Sequence, residues 1–378
     1  MTASPFRERK SLAAAGAERE DIAGYECAPT MAEGLAVYIV VKSLDQIARR
    51  KRLIESKRRG LIGRISPRPV SEGLLVKATV DSANRIDAGC AEMLRAFREP
   101  RGLAAISEDR FLLTEIDRIL LIDSRGEPLQ DYHHPYFSFL HSVSVDRDKR
   151  TFLVVSSGYD AVFEIDLENG ATLWEWFGWD HGFNPGDDGV FLTHRTSDRD
   201  MLAAQGLNVR YVDPACSGEQ GLATGVRTTH PSSACYNPYA LGAVLVALGR
   251  LGQVIEITQA TSEHRLRIDG LDQLPHAILP HDGGWIVTNT LAGELWLLDR
   301  DFVVRRIVNL AGLPGKPEEM REHEWLQAVL PLGGDRFVGI DGNRGLVFFD
   351  LRERCYAIQR CDENWSIQDL LPLVKSAV

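Results

Sequence analysis

The chain lacks the short motifs that identify several common enzyme classes. It contains no GxGxxG loop, no Walker-type phosphate loop, no HExxH pair and no GxSxG elbow. Dinucleotide-dependent enzymes, P-loop nucleotidases, zincin proteases and α/β-hydrolases are therefore not supported. Six cysteines are scattered without a CxxC pair. This spacing indicates neither a zinc knuckle nor a disulfide framework, and it predicts reduced, structural thiols.

Long apolar runs are missing as well. The longest run, residues 35–41, is too short to cross a bilayer, and the first twenty residues, MTASPFRERKSLAAAGAERE, contain no signal-peptide core. We therefore expect a cytoplasmic protein without a membrane span. The 43 basic and 53 acidic side chains give a net charge of −10, which disfavours general nucleic-acid binding through the overall field.

Five segments of the chain share one pattern. Each has a short alternating strand, a polar turn, a β-branched strand, a second turn and a third strand that usually ends in Asp. The third-strand ends Asp123 and Asp166 are 43 residues apart, and Thr258 and Asp299 are 41 apart, spacings typical of β-propeller blades. The sequence predicts an all-β propeller of five or six blades with an N-terminal helical extension. The five segments are residues 101–123, 141–166, 230–258, 276–299 and 326–350.

The remaining segments set the expected domain organisation. Residues 1–70 are predicted to be an N-terminal arm and an amphipathic basic helix, and residues 71–378 to be the propeller. The gap between Asp166 and Thr258 is twice the period, so we expect an insertion around 178–228 over one face of the ring. The strand pair at 72–81 is expected to join CYAIQRC, residues 355–361, and close the ring.

The predicted helix has two distinct parts. Its apolar residues recur at helical spacing, and basic residues crowd segment 49–59. Two interpretations stay open: a packed helix with a solvated basic end, or a contact for an acidic partner, nucleic acid or anionic lipid. The apolar positions are Val37, Val40, Val41, Leu44, Ile47 and Ile54.

Three histidines occupy one register position in the repeat. His141, His230 and His276 each open the first strand of a unit, and Gln327 takes that place in the last unit. First strands line the channel of a propeller, so these side chains are predicted to ring one mouth of it. Neutral imidazoles suit Fe(II), Mn(II) or Zn(II), and an ion with vacant positions can polarise a substrate oxygen or activate water or dioxygen. Two alternatives stay open. The histidines could form a metal-free pocket for acid–base catalysis, or they could recur with the repeat without a functional role.

Further candidates lie near this mouth in the sequence or in the second turn of each unit. His281, His323 and Tyr159 are the candidate catalytic groups. Turn chemistry alone also explains Asp and Asn at second-turn positions. The candidate substrate-binding residues are Glu115, Asp160, Arg250, Asn289, Asp341 and Arg344.

The segment WEWFGWDHG, which starts at Trp174, adds aromatic residues beside the predicted insertion. Together with His194, they are interpreted either as an aromatic lid or as packing between blades.

The segment HSVSVDRDKRTFLVVSSGYDAVFEID and its partner segments resemble bacterial NHL-type and gluconolactonase-like propellers over residues 72–360. A histidine-ringed mouth is similar to the iron site of carotenoid-cleaving oxygenases, and three histidines with a glutamine resemble the manganese site of oligogalacturonate lyases. This resemblance implies His141, His230, His276 and Gln327 as metal ligands. The acidic calcium ligands of gluconolactonases have no secure counterpart.

These observations predict a metal-dependent enzyme that acts on a small molecule. The ion would be a Lewis acid for a lyase or hydrolase reaction, or would activate oxygen if it is iron. Neutral ligands leave the charge of the cation uncompensated, which favours an anionic or carbonyl substrate. The alternative is a non-catalytic propeller that binds a ligand or a protein.

Overall fold

The computed structural model describes residues 14, 16–59, 69–186, 188–214, 221–272 and 274–373. Two short strands come first, β1 (Glu18–Asp21) and β2 (Glu26–Cys27). Six four-stranded antiparallel blades follow, which confirms the predicted propeller and fixes its blade number. Blade 1 consists of β3 (Ala36–Val41), β4 (Glu72–Thr79), β5 (Glu92–Arg98) and, from the C-terminal part of the chain, β28 (Ile367–Pro372).

The strands of the other five blades follow one another along the chain. Blade 2 contains β6 (Leu103–Ala105), β7 (Arg110–Thr114), β8 (Ile119–Asp123) and β9 (Pro128–Tyr132). Blade 3 contains β10 (Leu140–Val145), β11 (Thr151–Ser156), β12 (Ala161–Asp166) and β13 (Thr172–Phe177). Blade 4 contains β16 (Pro231–Tyr236), β17 (Ala243–Leu248), β18 (Gln253–Thr258) and β19 (Glu263–Ile268). Blade 5 contains β20 (Ile278–His281), β21 (Gly284–Asn289), β22 (Glu294–Leu298) and β23 (Val304–Asn309). Blade 6 contains β24 (Leu326–Gly333), β25 (Arg336–Asp341), β26 (Gly345–Asp350) and β27 (Cys355–Gln359).

The ring is closed within blade 1. Its innermost strand β28 pairs with β3, so segments from near both ends of the described chain share one sheet. The predicted pairing of segment 72–81 with segment 355–361 is therefore wrong, because β27 is the outer strand of blade 6. The innermost strands of most neighbouring blades contact one another around the axis, an arrangement that leaves only short, protected edges.

The apolar core is divided among the junctions between neighbouring blades. Six clusters of buried residues occur, and each joins two adjacent blades. Leu153 of blade 3 and Val244 of blade 4, for example, belong to one cluster, and Trp176 is fully buried with them. The alternating strands explain this arrangement, because each blade must bury both of its faces against neighbours.

The repeated Asp at the end of the third strand caps the following turn. Asp123, Asp166, Asp299 and Asp350 each accept hydrogen bonds from two backbone N–H groups two to four residues ahead. A short carboxylate that bonds its own turn is a standard way to end a strand. The sequence repeat thus reflects turn chemistry on the outer part of the ring.

The N-terminal segment belongs to the propeller. Strands β1 and β2 pair in parallel with β23 and β27 and extend blades 5 and 6 by a fifth strand. The predicted helix over residues 37–44 is wrong, because β3 occupies residues 36–41. Helix α1 (Gln46–Arg59) begins after it, in the turn between the second and third strands of blade 1. Residues 1–13, part of the predicted arm, lie outside the described residues.

The expected insertion is present between β13 and β16. It contains the parallel pair β14 (Phe191–Thr193) and β15 (Val209–Tyr211), with helix α2 (Thr196–Ala204) between them. Short 3-10 helices occur at Ile22–Gly24, Ser157–Tyr159, Gly178–His181, Thr224–Val226 and Glu318–Met320. Neither α-helix of the described chain is long and apolar enough to cross a membrane. The cysteines at 27, 90, 235, 355 and 361 are free thiols, and Cys216 lies outside the described residues.

Candidate functional site

A cavity of about 230 Å³ lies at one mouth of the channel, between the inner strands and helix α1. Its floor includes His141, His230 and His276, which we call the histidine triplet. Its roof comes from α1, and residues 221–227 of the insertion form one wall. The predicted convergence of the three histidines is therefore observed, as is the position of the insertion at the same face.

The three histidines meet because their strands begin at the same level of the ring. His141 is the second residue of β10, and His230 and His276 lie just before β16 and β20. The ring centroid of His141 is 5.2 Å from that of His276 and 6.0 Å from that of His230. All three side chains are buried. The triplet is thus one cluster on rigid strand ends.

His230 has an unusual backbone that is held in place by Asp160. Its φ of 48° lies in the left-handed region, which costs energy for a residue with a Cβ atom. The buried carboxylate of Asp160 accepts hydrogen bonds from the backbone N–H groups of Thr228, Thr229 and His230 at 2.7, 3.2 and 2.6 Å. The second turn of blade 3 therefore positions a histidine of blade 4.

Hydrogen bonds also fix the imidazole rings from behind. The Arg227 guanidinium lies 2.9 Å from Nδ1 of His230. Nδ1 of His276 lies 2.7 Å from the Leu274 carbonyl oxygen and 2.9 Å from the Thr290 hydroxyl. Both residues also line the cavity.

All three histidines are held in the neutral state. Burial lowers the pKa of His276 to about 3 and holds the pKa values of His141 and His230 well below their usual 6.5. The Arg101 guanidinium lowers the three pKa values further, because a nearby positive charge opposes protonation. The triplet therefore offers neutral imidazoles at physiological pH.

Cationic side chains surround the triplet. Lys42 and Arg101 share the buried carboxylate of Glu99 at 3.6 and 2.6 Å, and Arg52 pairs with Asp45 at 2.8 Å. Asp45 contributes the single acidic side chain among the described lining residues. The cationic lining residues are Lys42, Arg49, Arg50, Arg52, Lys57, Arg101 and Arg227.

Two of these cations make no direct contact with an acidic side chain of the described residues. Among the described residues, neither the Arg49 guanidinium nor the Lys57 ammonium group makes a side-chain hydrogen bond or an ion pair within 4.0 Å. Burial lowers the pKa of Arg49 to about 10 and also lowers the pKa of Lys57. Asp45 and Glu99 stabilise the Arg49 charge, and Asp272 and Glu324 the Lys57 charge, without a direct ion pair. An anion in the cavity would give these desolvated cations a direct counter-ion.

One face of helix α1 produces this arrangement. Positions 46, 49, 50, 53 and 57 follow a spacing of three or four residues and all line the cavity. Gln46 and Arg50 donate to the Gly342 carbonyl oxygen at 2.7 and 2.9 Å, which fixes the helix on blade 6. A Cβ atom at Gly342 would lie 2.9 Å from the Trp325 ring, so the close approach requires glycine.

Apolar groups complete the lining. The Arg49 guanidinium lies 5.7 Å from the ring centroid of Trp325, and those of Arg227 and Arg101 lie 4.9 and 5.6 Å from that of Phe139. Cations against aromatic faces keep an extended, oriented geometry. Leu53, Leu274, Leu291 and Met320 add aliphatic surface. The cavity therefore suits a ligand with both an anionic group and an apolar body.

Gln327 and the three candidate catalytic residues are placed differently. Gln327 is buried and accepts a hydrogen bond from Trp325 Nε1 at 2.9 Å. His281 packs on Phe337 at the far end of β20, because four strand residues carry the chain away from the mouth. Tyr159 is buried against Tyr136. None of these, nor His323, whose carbonyl accepts from Asn343, is among the described lining residues.

The second-turn candidates mostly bond to neighbouring backbone. Glu115 accepts from the Arg98 N–H at 2.7 Å, and Asn289 accepts from the Asp272 N–H at 3.0 Å. Both side chains therefore support turns, and their contact with a substrate stays a prediction. Asp341 and Arg344 form a buried ion pair with each other, and Arg250 reaches the Thr224 carbonyl oxygen at 3.4 Å.

The aromatic segment packs between blades and does not cover the mouth. Trp176 stacks on His181, and Trp179 stacks on Phe177, with interplanar angles of 8° in both pairs. His194 contacts Phe177 at 4.3 Å between centroids. Trp174 donates to Ser262 at 3.2 Å. The packing interpretation of this segment is confirmed for the described residues.

Sequence reasoning missed most of the cavity's positive charge. The sequence shows the basic segment 49–59, but no pattern in the sequence indicates that this segment lies over the histidines. Arg101 directly precedes Gly102, which takes the histidine place in the first unit, and Arg227 lies three residues before His230. The basic residues close to the repeated histidine position were therefore the available signal in the sequence.

Comparisons with known proteins agree on the fold. No family model matches the sequence, and no curated protein matches it. A solved protein of unknown function from Bacteroides caccae has a TM-score of 0.52 and 14% identity, covering 91% of this chain and all of that one. A chain from a nidogen/laminin complex has a TM-score of 0.54 and 10% identity, with 90% and 98% covered. Virginiamycin B lyase from Staphylococcus aureus has a TM-score of 0.42 and 12% identity, with 73% and 75% covered. The predicted resemblance is thus confirmed for the propeller fold alone.

Proposed function

We propose that the protein is an enzyme that binds a small anionic molecule in the mouth cavity and acts on it through the histidine triplet. The observation that carries this proposal is the juxtaposition of Arg49 and Lys57, which form no direct ion pair among the described residues, with three buried neutral imidazoles. The cationic side chains would bind the anionic group of the ligand, and the imidazoles would donate and accept protons.

The charge pattern supports an anionic ligand. The whole chain carries a net charge of −10, yet seven cationic side chains and a single acidic one, Asp45, line the cavity. Cations crowded into one cleft repel one another and concentrate anions there, so a bound anion would relieve the repulsion. Guanidinium groups also match the planar geometry of carboxylates and phosphates.

The histidines support chemistry over simple binding. A bound anion would raise the pKa values of the imidazoles, because it offsets the nearby positive charges that lower them, and this would bring proton transfer closer to neutral pH. Burial at rigid strand ends fixes their positions, which proton transfer requires. A non-catalytic binding propeller would need the cations but not this triplet.

A transition-metal ion bound by the triplet is the alternative. The centroid separations of 5.2 and 6.0 Å favour it, because neighbouring imidazoles can share an ion. However, Arg227 can only donate, so Nδ1 of neutral His230 accepts and its proton lies on Nε2, without a lone pair for a metal. No group of three or more potential ligands among His, Cys, Asp and Glu was found in the described chain. The residues do not fit a three-histidine centre, and the predicted iron, manganese or zinc stays a prediction.

Calorimetric titration with phenyl phosphate at pH 8 tests the proposal. We expect binding that weakens with ionic strength, and about a tenfold loss of affinity in Arg49→Gln and in Lys57→Gln, because each loses a charge-assisted contact. Arg58→Gln and Lys51→Gln are matched controls, since both positions are exposed on the same helix. Equal losses in controls and test variants, or no binding at all, would contradict an anion site in this cavity.

Metal analysis of protein purified without chelators separates the two mechanisms. We expect no stoichiometric iron, manganese or zinc. A stoichiometric metal that disappears in His276→Gln would establish the metal-dependent alternative.

A further inference from the structure

The hydrogen bonds behind two members of the triplet place their protons on opposite nitrogens. A guanidinium has donors only, so Arg227 forces Nδ1 of His230 to accept at 2.9 Å. Neutral His230 therefore carries its proton on Nε2. Burial and the Arg227 charge both hold the pKa of His230 well below 6.5, so the imidazolium form does not compete.

His276 has the reverse arrangement. A carbonyl oxygen can only accept, so the Leu274 oxygen at 2.7 Å requires the proton of His276 on Nδ1. The Thr290 hydroxyl at 2.9 Å lies beside the same nitrogen. Neutral His276 therefore has a free lone pair on Nε2.

We propose that His230 and His276 have fixed and opposite roles: His230 donates an Nε2–H hydrogen bond to a substrate oxygen, and His276 accepts a proton at Nε2. This inference rests on the proposed function, because it assigns roles within the same site. Arg227 is a positioning residue, since it acts by setting the tautomer of His230. A neutral imidazole that polarises an oxygen beside a separate base is an established arrangement for moving protons next to carbonyl groups.

The pair suits an anion that carries a carbonyl oxygen and a C–H group next to it. The C–H bond breaks, its electron pair forms the carbon–carbon double bond of an enolate, and the proton moves to Nε2 of His276. The enolate oxygen keeps the hydrogen bond from His230 and lies among the cations of the cavity. The imidazolium of His276 exchanges this proton with water, and a solvent-derived proton then returns from Nε2 to carbon. Protons and electrons balance without an oxidant, a reductant or a further reactant.

Histidine ¹⁵N spectroscopy of the full chain tests the tautomers directly. Wild-type signals are assigned by their loss in His230→Gln and His276→Gln. We expect a protonated Nε2 in His230 and a protonated Nδ1 in His276 at pH 7.5. The same tautomer in both residues, or the reverse assignment, would overturn the inference whatever ligands bind.

Arg227 variants separate positioning from general structure. Arg227→Leu removes the donor, so the His230 proton should populate both nitrogens, whereas Arg227→Gln retains a donor and should keep it on Nε2. An unchanged His230 spectrum in Arg227→Leu would show that Arg227 does not set the tautomer. If Arg227→Leu does not fold, the wild-type spectrum still decides the assignment.

Hydrogen exchange tests the substrate class. Phenylpyruvate, an aromatic 2-oxo acid, is incubated with the protein in D₂O, and loss of its C3 protons is followed by proton NMR. We expect exchange about a hundredfold faster than in buffer, lost in His276→Gln but retained in His133→Gln, an exposed histidine elsewhere. Correct tautomers without exchange would overturn the carbonyl substrate class. Absence of phenyl phosphate binding would instead count against the proposed function itself.

Discussion

The two halves of the propeller present different side chains at corresponding places around the mouth. Blades 3, 4 and 5 contribute imidazoles, whereas blades 6, 1 and 2 contribute amides and a guanidinium. In the first half the residues are His141, His230 and His276, which line the cavity. In the second half Gln368 and Arg101, the residue before Gly102, line it, whereas Gln327 is buried outside the lining. The backbone repeat therefore fixes where a side chain lies, and its chemistry varies from blade to blade.

This difference separates proton handling from charge. Imidazoles change protonation within the range of solution pH, but amides do not titrate and guanidinium groups stay charged. Helix α1 is inserted in blade 1, in the half without histidines, and brings its cations across the mouth. An anion bound between the halves would contact both kinds of group. Three kinds of change test this difference between the two halves of the propeller.

The largest expected effect is on the turn that supports the histidine half. Asp160→Ala should lower the free energy of unfolding by about 4 kcal/mol, because three buried backbone N–H groups lose their acceptor. Glu115→Ala, in the corresponding turn of blade 2, should cost about 1–2 kcal/mol, since it frees one backbone N–H and the half-exposed Arg118. Urea unfolding measures both values. Equal losses would show that the two halves are supported alike.

A smaller effect is expected from pH. The pKa of His276 is about 3 in the folded protein, below its ordinary 6.5, so the unfolded chain takes up its proton first as pH falls. The stabilisation is complete above pH 6.5 and declines below it by about 1.4 kcal/mol per pH unit, or about 2 kcal/mol by pH 5. His276→Gln gives blade 5 the residue type of blade 6. This variant should lack the part of the pH-dependent loss of stability that His276 causes. Unfolding titrations at pH 7.5, 6 and 5 check the slopes, and parallel slopes would refute the assignment.

The smallest effect is expected at Gly342, where helix α1 packs on blade 6. A Cβ atom in Gly342→Ala would lie 2.9 Å from the Trp325 ring and 3.1 Å from the Gln46 amide nitrogen. We expect a loss of about 1 kcal/mol in stability and a severalfold weaker affinity for phenyl phosphate, because α1 must shift. Gly24→Ala, where a Cβ atom meets nothing within 4 Å, is the control. Unchanged affinity in Gly342→Ala would mean that the helix position does not define the cavity.

Much of the fold follows from local patterns in the sequence. Alternating strands and turn-capping Asp residues are set by nearby neighbours, so the blades and their period were predictable. The segment AVYIVV was misassigned because Val37, Val40 and Val41 fit a helical spacing by chance. Six successive apolar, mostly β-branched residues are more typical of a strand buried on both faces.

The candidate site was predictable only in part. Register within the repeat located the histidine triplet, since that register is a property of each strand. The roles of Arg49 and Lys57 depend on how α1 packs across the ring, and this packing rests on a carbonyl of Gly342 almost three hundred residues away. His281 was misplaced because sequence proximity to His276 hides a strand that points the chain toward the opposite mouth.

Blade 1 takes its inner strand from Ile367–Pro372 and carries helix α1 between its next two strands. Residues from near both ends of the described chain therefore build one wall of the cavity, because Gln368 of β28 lines it together with α1. Loss of the pairing between β28 and β3 would open the ring and this wall together.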